Sequence, residues 1–414
     1  MKRLILLTYL NLWSMEKGKG APSFFKTVDA YVNDGWDIIL INPDYGVGVT
    51  PEMKGVVNYT FKPIFFPLTK IKGLSFFGRI LHALHGNRVL FKIAQKLIQN
   101  SKENTFLYAY EVHGTKAARK LADKYDLPLV TRFQGTVLHP IKNTFINRLK
   151  KYPHFSALST KADITIMTDD GTHGDRVLKN LGNQSNTVKF WRNGVDIARN
   201  HVEDVSKSRE IRRKCNLREE DRVLLTVSRL ASWKRLDRAI NAMPSLIKID
   251  SRIHLVIVGD GAEKDKLMDL ANQLGVKEHV FFVGAVEQSE VVDYMAIADI
   301  FLSLYDLSNV GNPLLEAMSC GKPIVTLDVG DTSSLIIDGK TGVLLNAEHL
   351  DTLPERIIQL IEDKKYAEEL GANAREFADN EFWSWKDRMD AEISIVNTLY
   401  KEYFGDLAET ETNP

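Results

Sequence analysis

Asp306-Leu307-Ser308-Asn309-Val310-Gly311-Asn312-Pro313-Leu314-Leu315-Glu316-Ala317-Met318 follows a short apolar run, Ile300 to Leu304, interrupted only by Ser303. A run of that length reads as a buried strand. Pro313 suits the first position of a helix, because its missing N–H would have no intrahelical partner there. The loop around Gly311 therefore joins a strand to a helix. The free N–H groups at such a helix start form an anion site suited to phosphate. Glu316 falls in the first turn, where a carboxylate is electrostatically favoured. It is either a helix-start charge or an acceptor for ribose hydroxyls.

Working outward, the same strand-then-helix pattern recurs along the chain, as expected for parallel sheets covered by helices. In the second half the strands read as Arg222 to Val227, Ile253 to Val258, Val280 to Val283, Ile300 to Leu304, Pro323 to Leu327 and Thr341 to Leu345. In the first half they read as Leu4 to Tyr9, Asp37 to Ile41, Thr105 to Ala109, Pro128 to Phe133, Asp163 to Met167 and Thr187 to Trp191. Helical spacing marks Ser23 to Asn33, Phe76 to Gln99 and Gly114 to Tyr125 before the middle of the chain. The stretch from Asn193 to Asp221 is polar and lacks a strand pattern, so it reads as a linker with a short helix near Lys207 to Cys215. Amphipathic helices end the chain. Two doubly wound domains follow from two such halves. The first spans 1–195 and is completed by a C-terminal helix at about 385–408; the second spans 196–384.

Length agrees, since 414 residues exceed what one core usually serves. The composition, 44% hydrophobic and 26% charged, excludes a disordered or collagen-like chain. No apolar run approaches the roughly 18 residues of a membrane span. Met1-Lys2-Arg3 followed by Leu4 to Leu7 begins like a signal peptide, but Thr8, Tyr9, Asn11 and Ser14 interrupt the run. The two cysteines, Cys215 and Cys320, fit neither a disulfide framework nor a zinc spacing, which points to a reducing, cytoplasmic setting. Equal numbers of basic and acidic residues, 54 each, conceal a segregation. Met53 to Lys102 holds nine basic residues and no acid. Within it Arg88, Lys92 and Lys96 share one helix face while Leu90, Ile93, Ala94 and Leu97 line another. With Phe76 and Phe77 nearby, 62–98 suits an anionic membrane surface. A core-packed helix with a solvated basic face gives the same pattern.

In open parallel sheets ligands gather beyond the carboxyl ends of the strands. The strand Arg222 to Val227 delivers Ser228-Arg229-Leu230-Ala231-Ser232-Trp233-Lys234. Arg229 offers planar contacts and Lys234 a point charge, a pair able to hold a diphosphate, although surface cations opening a helix would look alike. Val258-Gly259-Asp260-Gly261 lets backbone approach a neighbour or ligand closely. Phe282-Val283-Gly284 is a strand exit whose backbone could read a nucleobase edge.

Taken in order, these motifs resemble the retaining glycosyltransferases of family 4, of the group 1 type. Further matches are Cys320-Gly321-Lys322-Pro323-Ile324-Val325, Asp338-Gly339-Lys340-Thr341-Gly342, Trp191-Arg192-Asn193-Gly194-Val195-Asp196 and Trp383-Ser384-Trp385. The resemblance implies the GT-B fold, two Rossmann-like α/β domains facing a cleft. It implies a hexose-type sugar moved from a UDP- or GDP-linked donor to a glycan or lipid-linked acceptor, in polysaccharide or glycoconjugate synthesis. Arg229 and Lys234 would hold the leaving diphosphate and Glu316 the ribose. Gly261, Val283, Gly284, Ser308, Asn309, Gly311, Asn312, Pro313 and Leu314 would line the donor, joined by Gly18 and Gly20 of the loop Lys17-Gly18-Lys19-Gly20-Ala21. The first domain would take the acceptor. No metal or cofactor is expected, the nucleotide sugar being a co-substrate; nor is nucleic acid.

Two positions depart from the family. It often carries two glutamates separated by seven residues, and the position eight before Glu316 is Ser308, with Asp306 as a substitute if the loop is reshaped. Many members carry a histidine where this chain has Gln134, which cannot titrate. His113, in Tyr110-Glu111-Val112-His113-Gly114, sits at another strand exit and has either a catalytic or a structural role. A non-catalytic, transferase-like binding subunit is the alternative reading. A nicotinamide-dependent oxidoreductase is excluded by its fingerprint, because Gly18-Lys19-Gly20 is followed by Ser23. The expected setting is cytoplasmic, peripheral on the inner membrane face.

Overall fold

The computed structural model describes residues 2–10, 22–46, 54–100, 102–196 and 204–405, in two compact units. The first unit comprises the described residues up to Asp169, His173–Arg192, and Trp385 to Gly405. The second comprises Asp170–Thr172 and Asn193–Ser384.

In the first unit the strands are β1 (Lys2–Thr8), β2 (Trp36–Pro43), β3 (Val56–Phe61), β4 (Thr105–Tyr110), β5 (Leu129–Phe133), β6 (Ile164–Thr168) and β7 (Thr187–Trp191). They form a parallel sheet in the order β3-β2-β1-β4-β5-β6-β7. Successive strand residues point to opposite faces, so a sheet covered on both sides needs continuous apolar strands. β1 shows this directly. Leu4 and Leu6 pack with α1 (Pro22–Asn33) and α14 (Trp385–Phe404). Ile5 and Leu7 pack with α2 (Ser75–Asn100) and α3 (Thr115–Tyr125). The expected strands correspond to six of these seven. β3 lies within the acid-free stretch and has no counterpart among the expected strands. It is an edge strand with Val57 and Tyr59 exposed, so it lacks the apolar continuity that marks its neighbours. Phe76 and Phe77 open α2, close to the start that the helical spacing of Phe76 to Gln99 predicts.

The C-terminal helix is fastened to this unit by charge as well as packing. Glu392 of α14 is fully buried and pairs with Arg132 of β5 at 3.1 Å and with Arg388 at 3.0 Å. Tyr108 donates to the same carboxylate at 2.7 Å, and Arg132 also donates to Thr27. The arginines and tyrosine hold this carboxyl below its ordinary range despite the cost of burial.

In the second unit the strands are β8 (Arg222–Val227), β9 (Ile253–Val258), β10 (Val280–Gly284), β11 (Ile300–Ser303), β12 (Ile324–Leu327) and β13 (Val343–Leu345). All are parallel, in the order β10-β9-β8-β11-β12-β13. Leu255 and Ile257 of β9 enter one core and Val256 and Val258 the other. The polar stretch after Asn193 is not a free linker: α7 (Val205–Lys214), capped by Asp204, buries Ile211 and Cys215 in that second core. Helices α8 (Asp237–Ile249), α9 (Lys264–Gln273), α10 (Gln288–Ile297), α11 (Asn312–Ser319), α12 (Leu353–Glu362) and α13 (Lys364–Glu381) complete the layers. Each sheet has a point where strand order reverses, between β1 and β4 in one unit and between β8 and β11 in the other. Such points are where doubly wound folds bind ligands.

Candidate active site on the second unit

The exits of β8 and β11 flank the reversal and carry most of the chemistry. After β8 the chain makes a short 3-10 turn, Ser232–Lys234, that ends on Lys234. Its ammonium lies 4.1 Å from the centroid of Tyr305 and donates to the Ser308 carbonyl at 3.3 Å. Burial lowers its pKa to about 8, opposed by the Asp170 carboxylate and assisted by Arg229. Arg229 stacks over Trp233, 5.1 Å from the ring centroid, and stays exposed. Two cations thus stand together where an anion can reach them.

Asp170 faces this charge from a segment that carries no motif in the sequence. It lies in Asp170–Thr172, which belongs to the second unit although the chain enters it from β6. Its main-chain oxygen accepts from Val310 at 3.2 Å, and Asp331 donates to the Gly171 carbonyl at 3.2 Å. Gly171 and Gly330 are forced here, since a Cβ on Gly330 would sit 1.8 Å from the Gly171 oxygen. The Asp170 carboxyl is buried and raised to about 6 by that burial, with hydrogen bonds from Thr172 and Ser308 and the charge of Lys234 pulling the other way. Ser308 holds a left-handed backbone, φ +59°, which aims its hydroxyl at this carboxyl.

Glu316 belongs to the same unit. It is buried in α11, accepts from Gln288 at 3.2 Å and is raised to about 7 by burial, with Asp196 adding a like charge. Asn193 donates to the Asn312 side-chain oxygen at 3.0 Å, while the Asn312 amide nitrogen is buried with no hydrogen-bond partner.

Several expected donor-lining residues have other employment. Asn309 is buried and turned inward, exchanging hydrogen bonds with both main-chain groups of Tyr305, so it braces the loop. Leu314 is buried and its N–H already donates to Gly311, which leaves Gly311 and Asn312 as the N–H donors ahead of Pro313. Asp306 pairs with Arg235 at 3.2 Å and Arg238 at 2.7 Å, facing away from the role of a second glutamate. Gly261 is required by protein packing, because a Cβ there would sit 2.4 Å from the Leu230 oxygen. Val283 is half-buried, and Gly284, at φ +90°, has open space around its α-carbon. Gly18 and Gly20 lie outside the described residues. His113 and Gln134 belong to the first unit, where Gln134 donates to the Tyr110 hydroxyl at 2.8 Å.

Residues 207–377 match the family model for glycosyl transferases group 1. The match lies wholly within the second unit. Among curated relatives, N-acetyl-alpha-D-glucosaminyl L-malate synthase of Bacillus anthracis is 27% identical over 48% of this chain and 50% of its own length. The GDP-mannose-dependent alpha-(1-6)-phosphatidylinositol monomannoside mannosyltransferase of Mycolicibacterium smegmatis is 32% identical over 40% and 45%. The chain spans about half the length of these curated relatives. Solved structures extend the likeness of fold to both units. Sucrose-phosphate synthase of Thermosynechococcus elongatus superposes with TM-score 0.76 at 17% identity, over 97% of this chain and all of that one. Anabaena HepE in complex with UDP and glucose gives 0.71 at 18%, over 96% and 100%. With two doubly wound parallel sheets, the chain has the GT-B fold.

Proposed function

We propose that the chain is a retaining glycosyltransferase that moves a hexose-type sugar from a UDP- or GDP-linked donor to a glycan or lipid-linked acceptor. The observation that carries this reading is the convergence of Arg229 and Lys234 at the reversal of the second sheet, with Glu316 buried at the start of α11. The bond between the anomeric carbon and the donor phosphate oxygen breaks, and a bond from an acceptor hydroxyl forms on the same face. The departing diphosphate gains charge as it leaves, which Lys234 and Arg229 offset. Its phosphate oxygen takes the proton of the incoming hydroxyl. Glu316, ionised, accepts from the ribose hydroxyls and orients the nucleoside.

Several relatives act, by name, on lipid acceptors, the phosphatidylinositol monomannoside mannosyltransferases among them. α2 supplies a matching surface. Along one line of the helix Phe77, Leu81 and Leu84 are exposed, followed by exposed Arg88, Lys92 and Lys96. Apolar residues that enter the headgroup layer beside cations that meet anionic lipid suit peripheral docking. Among the described residues no helix is long and apolar enough to cross a membrane.

Calorimetric titration with UDP and GDP, then a donor screen with the product anomer assigned by NMR, tests the proposal. An inverted product overturns retention, and no nucleotide binding overturns the whole reading. Tight nucleotide binding without turnover against any acceptor pool makes the chain a binding subunit instead.

A further inference from the structure

The first unit has its own reversal point, and the residues leaving β1 and β4 there line a cavity of about 400 Å³. That volume is within the range of small-molecule sites. Tyr9 and His113, one from each exit, lie with ring centroids 5.3 Å apart. Tyr45 and Phe66 add aromatic wall, and their rings pack edge to face at 4.7 Å. The wall is braced from within, since the Tyr9 hydroxyl donates to the His82 carbonyl and the Tyr45 hydroxyl to the Tyr9 carbonyl.

Two features mark this cavity as built for a ligand. His82 and His113 both line it, and each has a buried Nδ1 with no hydrogen-bond partner. Buried polar atoms are rarely left so, and a hydroxyl-bearing ligand would complete them. Burial lowers the pKa of His113 to about 3 and of the lining His154 to about 4, and it lowers that of His82. These rings are therefore neutral hydrogen-bonding groups. The positive charge comes from elsewhere: Arg79, Lys150 and Lys151 line the cavity, and no described lining residue is acidic. Arg79 and Lys150 are exposed, which places them at its mouth. Beside them Phe145, Ile146 and Leu149 are exposed on α4 (Phe145–Lys150).

We propose that this cavity binds a polyol phosphate: the hydroxylated part lies against Tyr9, Tyr45, His82 and His113, and the phosphate is held by Arg79, Lys150 and Lys151. Calling this ligand the acceptor rests on the transferase reading; the binding chemistry does not. The phosphate can come from a soluble ester or from a phospholipid headgroup, and the apolar residues of α4 suit the latter.

The test records histidine ring NMR spectra of the full chain during titration with glycerol 3-phosphate, with short-chain phosphatidylglycerol below its micellar concentration, and with glycerol. At least one phosphate probe shifts the His82 and His113 signals saturably, and glycerol does not. A response to glycerol 3-phosphate supports a soluble ester as the source; a response confined to the lipid supports a headgroup. The Arg79→Gln/Lys150→Gln/Lys151→Gln variant, altered only at the mouth, weakens the effective probe at least about tenfold. Silence of both rings to both phosphate probes, or unchanged binding by the variant, overturns the proposal. UDP titrated into the same sample separates the two readings. A chain that binds the phosphate probe but not UDP keeps this site and loses the transferase. A chain that consumes a donor sugar while its histidines ignore both probes loses this site alone.

Discussion

Lys234 donates from its ammonium to the main-chain oxygen of Ser308 at 3.3 Å, tying the exit of β8 to that of β11 where the strand order reverses. The contact fixes a cation whose own strand exit is a short turn. It also uses an acceptor from a loop that the Asn309 side chain has made rigid.

Replacing Lys234 by Met therefore removes charge while retaining most of the stem that packs on Tyr305. A charge-assisted hydrogen bond contributes about 1.5–3 kcal/mol, so UDP or GDP affinity should fall about 10- to 100-fold. Calorimetric titration reads this directly. Unchanged affinity would remove Lys234 from the nucleotide site.

Asp170 supports that charge from below. Burial takes the Lys234 pKa down to about 8, and the Asp170 carboxylate is what opposes the fall. Asp170→Asn should lower it further, and the alkaline loss of nucleotide affinity should begin about one pH unit earlier. The pH dependence of the UDP dissociation constant, compared between wild type and variant, decides it.

Glu316 behaves in the opposite sense. Its folded pKa, about 7, lies above the ordinary 4.5 because the carboxyl is buried. The folded state then holds the proton more tightly than the unfolded one. Its contribution to stability is present in acid and is lost as pH rises from about 4.5 through 7, a cost on the order of 3 kcal/mol. Glu316→Gln should flatten that part of the stability–pH curve. An identical slope in the variant would assign the titration to another group. If the ribose is accepted by the carboxylate, nucleotide binding below pH 7 also releases a proton, measurable by titration in buffers of different ionisation heat.

In the first unit the expectation concerns stability. Glu392→Ala leaves Arg132 and Arg388 buried without their shared carboxylate. Breaking a buried pair from one side costs about 3–5 kcal/mol. Denaturant titration of the full chain should show the first unit lost early while UDP affinity, which the proposed function assigns to the second, persists at low denaturant.

For α2, flotation with anionic vesicles should carry wild type upward and leave an Arg88→Gln/Lys92→Gln/Lys96→Gln variant behind. Each cation is worth about 1 kcal/mol near such a surface, so the difference amounts to roughly a hundredfold in partitioning. Equal flotation of the two proteins, or none of either, would end the membrane reading.

Much of the fold could be read from the sequence because parallel strands buried on both faces announce themselves. Ile253 to Val258 is six apolar or weakly polar residues in a row, and it forms β9 over those same residues. β3 gives no such signal, since at the sheet edge Val57 and Tyr59 remain in water. The cations of the β8 exit stood out because they are local to one loop. Asp170 did not, because Thr168-Asp169-Asp170-Gly171-Thr172 looks like a polar turn after β6, and only folding brings it to Lys234 and Ser308. The contacts of Asn309 and Asp306 are hidden in the sequence for a related reason. A polar side chain in a loop looks the same in sequence whether it faces a ligand or, as here, Tyr305 or two arginines.

The return of α14 to the first unit also has a consequence for synthesis. A ribosome releases β1 through β7 long before it reaches Trp385, with the whole second unit made in between. Throughout that interval the nascent first unit holds Arg132 without Glu392, and the apolar face that α14 will cover is open. Chains fold in the order they emerge. Here the part made first is finished last, and a nascent chain stopped before Trp385 leaves an intact second unit joined to an incomplete first one.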